Sequence, residues 1–139
     1  MPHTAELIAV GTELLLGSIV NSDAQMISRE LSALGINVFY HTVVGDNPRR
    51  LESVVNTARG RADIIITTGG LGPTCDDLTK QTLAHCFGKE LVFDRHSMDR
   101  IVAYFQQIKG RKLTDNNRQQ AYLPEGCTIF DNDWGTAPG

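Results

Sequence analysis

Hydrophobic positions along the chain alternate between two periods. Residues 6–10, Glu-Leu-Ile-Ala-Val, form a short apolar run stopped by Gly11, the pattern of a strand buried on both faces. Between 23 and 34, Met26, Ile27, Leu31 and Leu34 recur at helical spacing, with Gly35 placed to cap the end. Residues 36–44 are rich in β-branched and aromatic side chains and predict a second strand. Asn47-Pro48 then supplies a helix cap and a first-turn proline. Leu51, Val54, Val55 and Ala58 follow on one face, predicting a helix that ends at Gly60. Residues 63–68 predict a third strand, 69–74 a glycine-rich loop, and 76–87 a helix closed by Gly88.

A fourth helix is predicted over 97–109 from the stripe Met98, Ile101, Val102, Phe105 and Ile108. Beyond it the pattern weakens to a helical piece at 116–122, a turn at Pro124-Glu125-Gly126 and a short strand at 128–130. Strands alternating with helices imply an α/β domain with parallel pairing and right-handed crossovers. No linker or repeat interrupts the chain, so residues 1–139 are expected to form a single domain. The final Ala-Pro-Gly completes no element, so the domain is expected to be truncated at its C-terminal end.

Composition narrows the class. With 139 residues, 41% of them hydrophobic and 21% charged, the chain has the make-up of an ordinary globular domain. Thirteen Lys and Arg stand against 16 Asp and Glu, a net charge of -3 without basic runs, which argues against nucleic acid as the partner. No apolar stretch approaches the ~20 residues of a membrane span, and the N-terminus lacks the features of a signal peptide. A cytoplasmic protein with no membrane partner is expected. Cys75, Cys86 and Cys127 fit neither a disulfide framework nor a metal motif and read as reduced thiols.

Ligands of open parallel sheets bind beyond the carboxyl ends of the strands. Three loops lie there: Gly11-Thr12-Glu13-Leu14-Leu15-Leu16-Gly17, Gly45-Asp46-Asn47, and Gly69-Gly70-Leu71-Gly72-Pro73-Thr74-Cys75-Asp76-Asp77. Each carries an acid. Three glycines in four residues permit a backbone cradle for phosphate at a helix start, although they also suit a plain turn, and neither established glycine fingerprint is present. Asp77 fits a capping box with Thr74, Asp76 suits the positive end of a helix, and Asp46 and Glu13 have turn readings. Carboxylates beside a phosphate repel it unless a cation lies between them, and a Mg²⁺-type ion needs only one or two carboxylates plus phosphate oxygens. The four histidines are scattered without ligand spacing.

These three loops, with Asn117-Arg118-Gln119-Gln120-Ala121, Leu123-Pro124-Glu125-Gly126 and the closing Gly135-Thr136-Ala137-Pro138-Gly139, resemble the N-terminal domain of the CinA (competence/damage-inducible) family over nearly the whole chain. That domain belongs to the molybdopterin-binding superfamily, with MoaB, MogA and MoeA. The resemblance implies a three-layer α/β/α sandwich with a mostly parallel sheet. It places the two functional aspartates of the pterin-handling relatives on Asp46 and Asp77. It further implies metal-dependent hydrolysis of ADP-ribose and self-association, with a dimer favoured. The deamidase activity of a separate domain is not carried over. One departure is Asn132-Asp133-Trp134, where members often have Asn-Pro-Val.

The leading expectation is a nucleotide-diphosphate-binding domain that, when complete, hydrolyses the pyrophosphate of ADP-ribose with Mg, Mn or Co. Asp46 and Asp77 would be catalytic. Gly11, Thr12, Glu13, Gly69, Gly70, Leu71, Gly72, Pro73, Thr74 and Asn117 would hold the substrate, and Asp46, Asp76 and Asp77 the metal. The rivals are a molybdopterin-binding or pterin adenylyl-transfer domain, and a non-catalytic binding or oligomerisation module.

Overall fold

The computed structural model describes residues 2–108, 110 and 112–139. They group into two compact units, Met1–Gly70 and Leu71–Gly139. The predicted fourth helix reached Lys109, which lies outside the described residues.

The first unit is a three-stranded parallel sheet with strand order β2-β1-β3. Strand β1 (Thr4–Val10) is central, between β2 (Asn37–Val44) and β3 (Ile64–Thr68). Its apolar run is continuous because both faces are covered, and Ala5 to Val10 are all buried. On one face Ala5 and Leu7 pack with Ala24 and Leu31 of helix α2 (Ser22–Ala33), joined by Ile27, Val38, Ile64 and Ile66. On the other, Ile8 and Val10 share the side of the sheet to which helix α3 (Pro48–Arg59) turns Leu51, Val55 and Ala58. Burying Ile8 fully contributes about 2 kcal/mol of hydrophobic free energy.

Local chemistry sets the helix ends. The Asn47 side chain accepts from the Arg50 N–H at 3.0 Å with Pro48 in the first turn, as the sequence predicts. For α2 the cap is Asn21, which accepts from Ala24 N–H at 3.3 Å and starts the helix at Ser22, one residue before the predicted start at 23.

The third predicted strand ends where expected, but residues 11–17 are not simply a loop. Thr12–Leu15 form a one-turn helix, α1. The apolar face of the sheet also hides a charge. Glu6, in the middle of β1, is fully buried and accepts a double hydrogen bond from Arg61 at 2.8 and 2.7 Å, plus one from the Thr42 hydroxyl at 2.8 Å. Arg61 in turn lies 3.7 Å above the Tyr40 ring. The Arg61 guanidinium holds the Glu6 carboxyl below its ordinary value, outweighing burial.

The second unit contains helix α4 (Thr79–Cys86), strand β4 (Leu91–Phe93), helix α5 (Arg95–Gln107), a 3₁₀ segment (Asp115–Ala121) and strand β5 (Tyr122–Pro124). Strands β4 and β5 pair antiparallel, and were too short to register as periodic runs. Phe93 and Tyr122 meet edge-on at 5.5 Å across this pair, while Ile101, Ala121 and Leu123 are buried. Helix α4 begins at Thr79 rather than at 76, because Asp77 turns back onto Thr74 instead of starting a helical turn. The predicted strand at 128–130 does not form. Phe130 and Gly139 instead exchange backbone hydrogen bonds at 2.7 and 2.9 Å, closing the tail into a loop. Taken together, the chain is an α/β protein with a parallel sheet flanked by helices. No helix among the described residues is long and apolar enough to cross a membrane.

Candidate functional site

In the first unit, the ends of β1 and β2 carry the first two acidic loops. Gly11 N–H donates to Val44 O at 2.9 Å, tying the two strand ends together. Thr12 and Asp46 then bind each other reciprocally. The Asp46 carboxylate accepts from Thr12 N–H at 3.1 Å, and Asp46 N–H donates to the Thr12 hydroxyl at 3.2 Å. Glu13 folds over Gly11 so closely that a Cβ there would lie 2.6 Å from its carboxylate oxygen. The backbone of Gly11 is extended and the clash is with the movable end of a side chain, so a Cβ there would displace the Glu13 carboxylate rather than the chain.

Gly69 has a different reason for being glycine. Its φ is +83°, and a Cβ would stand 2.1 Å from the Val10 carbonyl oxygen, so only glycine lets the end of β3 come this near β1. Gly70, at φ +66°, continues the left-handed turn. These two glycines shape the chain.

The rest of the glycine-rich loop opens the second unit. Asp77 Oδ2 accepts from Thr74 N–H at 2.9 Å and from the Thr74 hydroxyl at 2.6 Å, and the Gly72 N–H adds a third bond. A Cβ on Gly72 would lie 2.6 Å from Asp77 Oδ2, so this glycine makes room for the carboxylate. The loop amides that form a cradle are thus directed at an anion of the chain itself. Partial burial raises the Asp77 pKa, and the Thr74 and Gly72 donors outweigh it, holding the carboxyl below its ordinary value. Asp77 is an anion at neutral pH. Asp76 is exposed beside Cys75, and Pro73 is half-buried within the loop.

Asn117 is buried, and its Oδ1 accepts from both the backbone N–H and the hydroxyl of Thr114, at 3.0 and 2.8 Å. That bond fixes the start of the 3₁₀ segment. Two residues that are not among the candidate site residues stand close to the loop, Gln120 from the signature at 117–121 and Lys80. Gln120, 3% exposed, donates from Nε2 to Leu71 O at 3.3 Å, while its Oε1 has no partner. Lys80, on the first turn of α4, donates to the Gln119 carbonyl at 2.6 Å, and burial pushes its pKa down to about 8. A lysine and a glutamine on amphipathic segments read as solvated face, and only the fold shows them turned inward.

Further along, Arg100 pairs with Asp131 and Asp133, and Asn132 bonds to both Ala137 O and Trp134 N–H at 2.9 Å, which shapes the closing signature. Trp134 projects into solvent. Among the described residues no three His, Cys, Asp or Glu side chains converge as a metal cluster. The candidate ligands are all carboxylates, in ones and twos. This donor set suits a hard cation completed by ligand phosphate oxygens.

Comparison with known proteins places these loops in a family. The profile described as "Probable molybdopterin binding domain" matches residues 6–139. A protein of Acetivibrio thermocellus named as a competence-damage inducible protein is 57% identical over 135 residues, 97% of this chain and 32% of that protein. A namesake from Bacillus thuringiensis is 56% identical with the same coverage. The chain spans about a third of the length of these curated relatives. The structure of CinA from Thermoplasma acidophilum, described as of unknown function, has a TM-score of 0.89 at 33% identity, over 99% of this chain and 80% of that one. The tungsten cofactor synthesizing protein MoaB from Pyrococcus furiosus shares the fold, with a TM-score of 0.59 at 23% identity over 77% of this chain and 65% of that one. With its three acidic strand-end loops and this profile match over nearly its whole length, the chain belongs to the molybdopterin-binding-domain family and, within it, to the CinA group.

Proposed function

We propose that the domain binds a small molecule carrying a diphosphate and a ring system at the loop of residues 71–77, and hydrolyses the pyrophosphate of ADP-ribose with a divalent cation. The observation that carries this reading is Asp77, a partly buried carboxylate held anionic by the loop amides of Gly72 and Thr74. Such a group beside a phosphate site calls for a cation between the two. Asp77, with exposed Asp76 next to it, would hold Mg²⁺, Mn²⁺ or Co²⁺. When bound, the cation would neutralise phosphate charge and lower the pKa of water. The loop backbone would orient the metal-holding carboxylate rather than the ligand, with Thr74 and Gly72 keeping Asp77 from rotating away. Asp46 is proposed as a second carboxylate needed for turnover, a role that rests on the motif. Glu13 would support it, and self-association into a dimer belongs to the same reading.

Purified protein with each cation should release AMP from ADP-ribose, and Asp77→Asn should abolish release while remaining folded. Absence of AMP, alongside a working hydrolase control, would overturn the activity. A second reading is favoured by the family description and by the MoaB-like fold: the ligand is a pterin, carried or adenylylated. Calorimetry with molybdopterin and ADP-ribose separates the two by which binds more tightly.

A further inference from the structure

The least expected charge in the second unit is Lys80. Its ammonium has three protons to donate, and one goes to the Gln119 carbonyl at 2.6 Å. No carboxylate among the described residues pairs with it, although the residue is only partly exposed. Burying a lone ammonium costs free energy that one neutral carbonyl does not offset. Beside it stands a second unsatisfied group. The Gln120 amide is buried, and its Nε2 donates to Leu71 O at 3.3 Å, which places its head against the ligand loop and fixes Oε1 as the free acceptor. Gln119 and Gln120 are consecutive, so the lysine's carbonyl anchor and the unpartnered acceptor are held by one 3₁₀ segment.

The two vacancies are complementary in kind. An ammonium with spare donors takes a phosphate oxygen, and an amide oxygen with no partner takes a hydroxyl or N–H. We infer that Lys80 and Gln120 form a recognition pair of this loop, Lys80 binding a phosphate oxygen and Gln120 Oε1 accepting a hydroxyl of the attached sugar. The inference rests on the proposed function and deepens it. The substrate is a sugar phosphate ester in which a hydroxyl lies near the phosphate, and inorganic diphosphate would satisfy only half of the site. A lysine there also supplies the cationic contact that the glycine-rich loop, lacking the Gly-Lys-Ser/Thr of a P-loop, does not contain.

Calorimetry on the full chain with Mg²⁺ tests this, using ADP-ribose and inorganic pyrophosphate as probes against wild type, Lys80→Met, Lys80→Arg, Gln120→Met and Asp77→Asn. Lys80→Met should weaken both probes by roughly ten- to hundredfold, the range for a charge-assisted hydrogen bond, and Lys80→Arg should recover part of it. Gln120→Met should weaken ADP-ribose about tenfold or more and leave pyrophosphate unchanged. A second readout is independent of affinity. With Lys80 dimethylated, its ¹³C-methyl titration should move upward on adding pyrophosphate. Unchanged affinities in Lys80→Met with a loss in Asp77→Asn would overturn the pair while leaving the diphosphate reading intact. Binding of neither probe by folded wild type would remove both. Equal losses of both probes in Gln120→Met would reduce Gln120 to a support of the loop and refute its recognition role.

Discussion

Replacing Gly69 by alanine tests whether the glycine-rich loop exists for the fold, for the ligand, or for both. An alanine Cβ at 69 would stand 2.1 Å from the Val10 carbonyl oxygen and 3.2 Å from its carbon, at φ +83°. The left-handed backbone alone costs an L-residue about 1–2 kcal/mol. Clearing the oxygen requires the ends of β3 and β1 to part by roughly an ångström, beyond the Ala9–Thr68 pair that closes their ladder. Losing one or two hydrogen bonds there costs about 1 kcal/mol each. The sum is roughly 3 kcal/mol, a large part of the 5–15 kcal/mol that holds a domain together.

Gly35→Ala is the control. That residue, in the same unit, has φ +74° and nothing within 4 Å of a Cβ, so it carries the conformational cost without the clash. Urea unfolding followed by far-UV circular dichroism should therefore rank Gly69→Ala about 1–2 kcal/mol below Gly35→Ala, with unchanged slopes. Gly72→Ala should behave differently. There the Cβ meets the Asp77 side chain, which can rotate, so stability should fall by only about 1 kcal/mol while ADP-ribose binding is lost. If Gly69→Ala and Gly35→Ala agree within about 0.5 kcal/mol, the close approach at Val10 does not constrain the fold and the division of the glycines fails.

Three further outcomes are expected. Arg61→Met should lower the thermal midpoint at neutral pH by stranding the buried Glu6 carboxylate; its ionised form stabilises the fold above the ordinary glutamate value of about 4.3, and that contribution fades as pH falls through its lowered native value, so the deficit of the variant should shrink in acid. Lys80→Met should raise the midpoint at pH 7 even as it loses ligand, because the native lysine titrates near 8, below its unfolded value; the cost of its charge is full below pH 8 and relieved as pH rises toward about 10.4, so the gain should vanish there. Thr74→Val should free Asp77, raise its pKa and weaken Mg²⁺-dependent ADP-ribose binding, which titration calorimetry at pH 5 and 7 would show.

What the sequence disclosed depended on repetition. The strands around β1 and the helices α2 and α3 each rest on several apolar residues at one period, and Asn47-Pro48 marks its helix start in two letters. The second unit lacks such redundancy. Strands of three residues, β4 and β5, contain too few positions to show alternation, and their pairing links residues some thirty apart. Glu6 is a different case: the run from 6 to 10 predicts its burial, but not the ion pair that permits it, because its partner Arg61 lies 55 residues away. Thr74 and Asp77 are spaced as a capping box, but the bonds they make close a turn ahead of the helix. Spacing alone does not separate these outcomes, because both use the same donor and acceptor three residues apart. Lys80 carried no local signal and Gln120 only its place in the signature at 117–121, since the inward turn of both depends on where the 3₁₀ segment meets α4.

The way each aspartate is held bears on what it can do. A carboxylate that accepts several N–H and O–H bonds is fixed in place and remains ionised, but each bond withdraws electron density and makes it a weaker base. Asp77 accepts from Thr74 twice and from Gly72, and its pKa is depressed accordingly. It is a poor candidate for taking a proton from water near neutral pH, where a useful base titrates close to the working pH. Holding a cation makes no such demand, since a ligand to a hard ion must be anionic and rigid rather than basic. Within the proposed reaction Asp77 is therefore a metal-holding residue, and a pH–rate profile should show no limb descending from it between pH 5 and 8. A limb in that range that disappears in Asp77→Asn, with residual activity retained, would return it to the role of base.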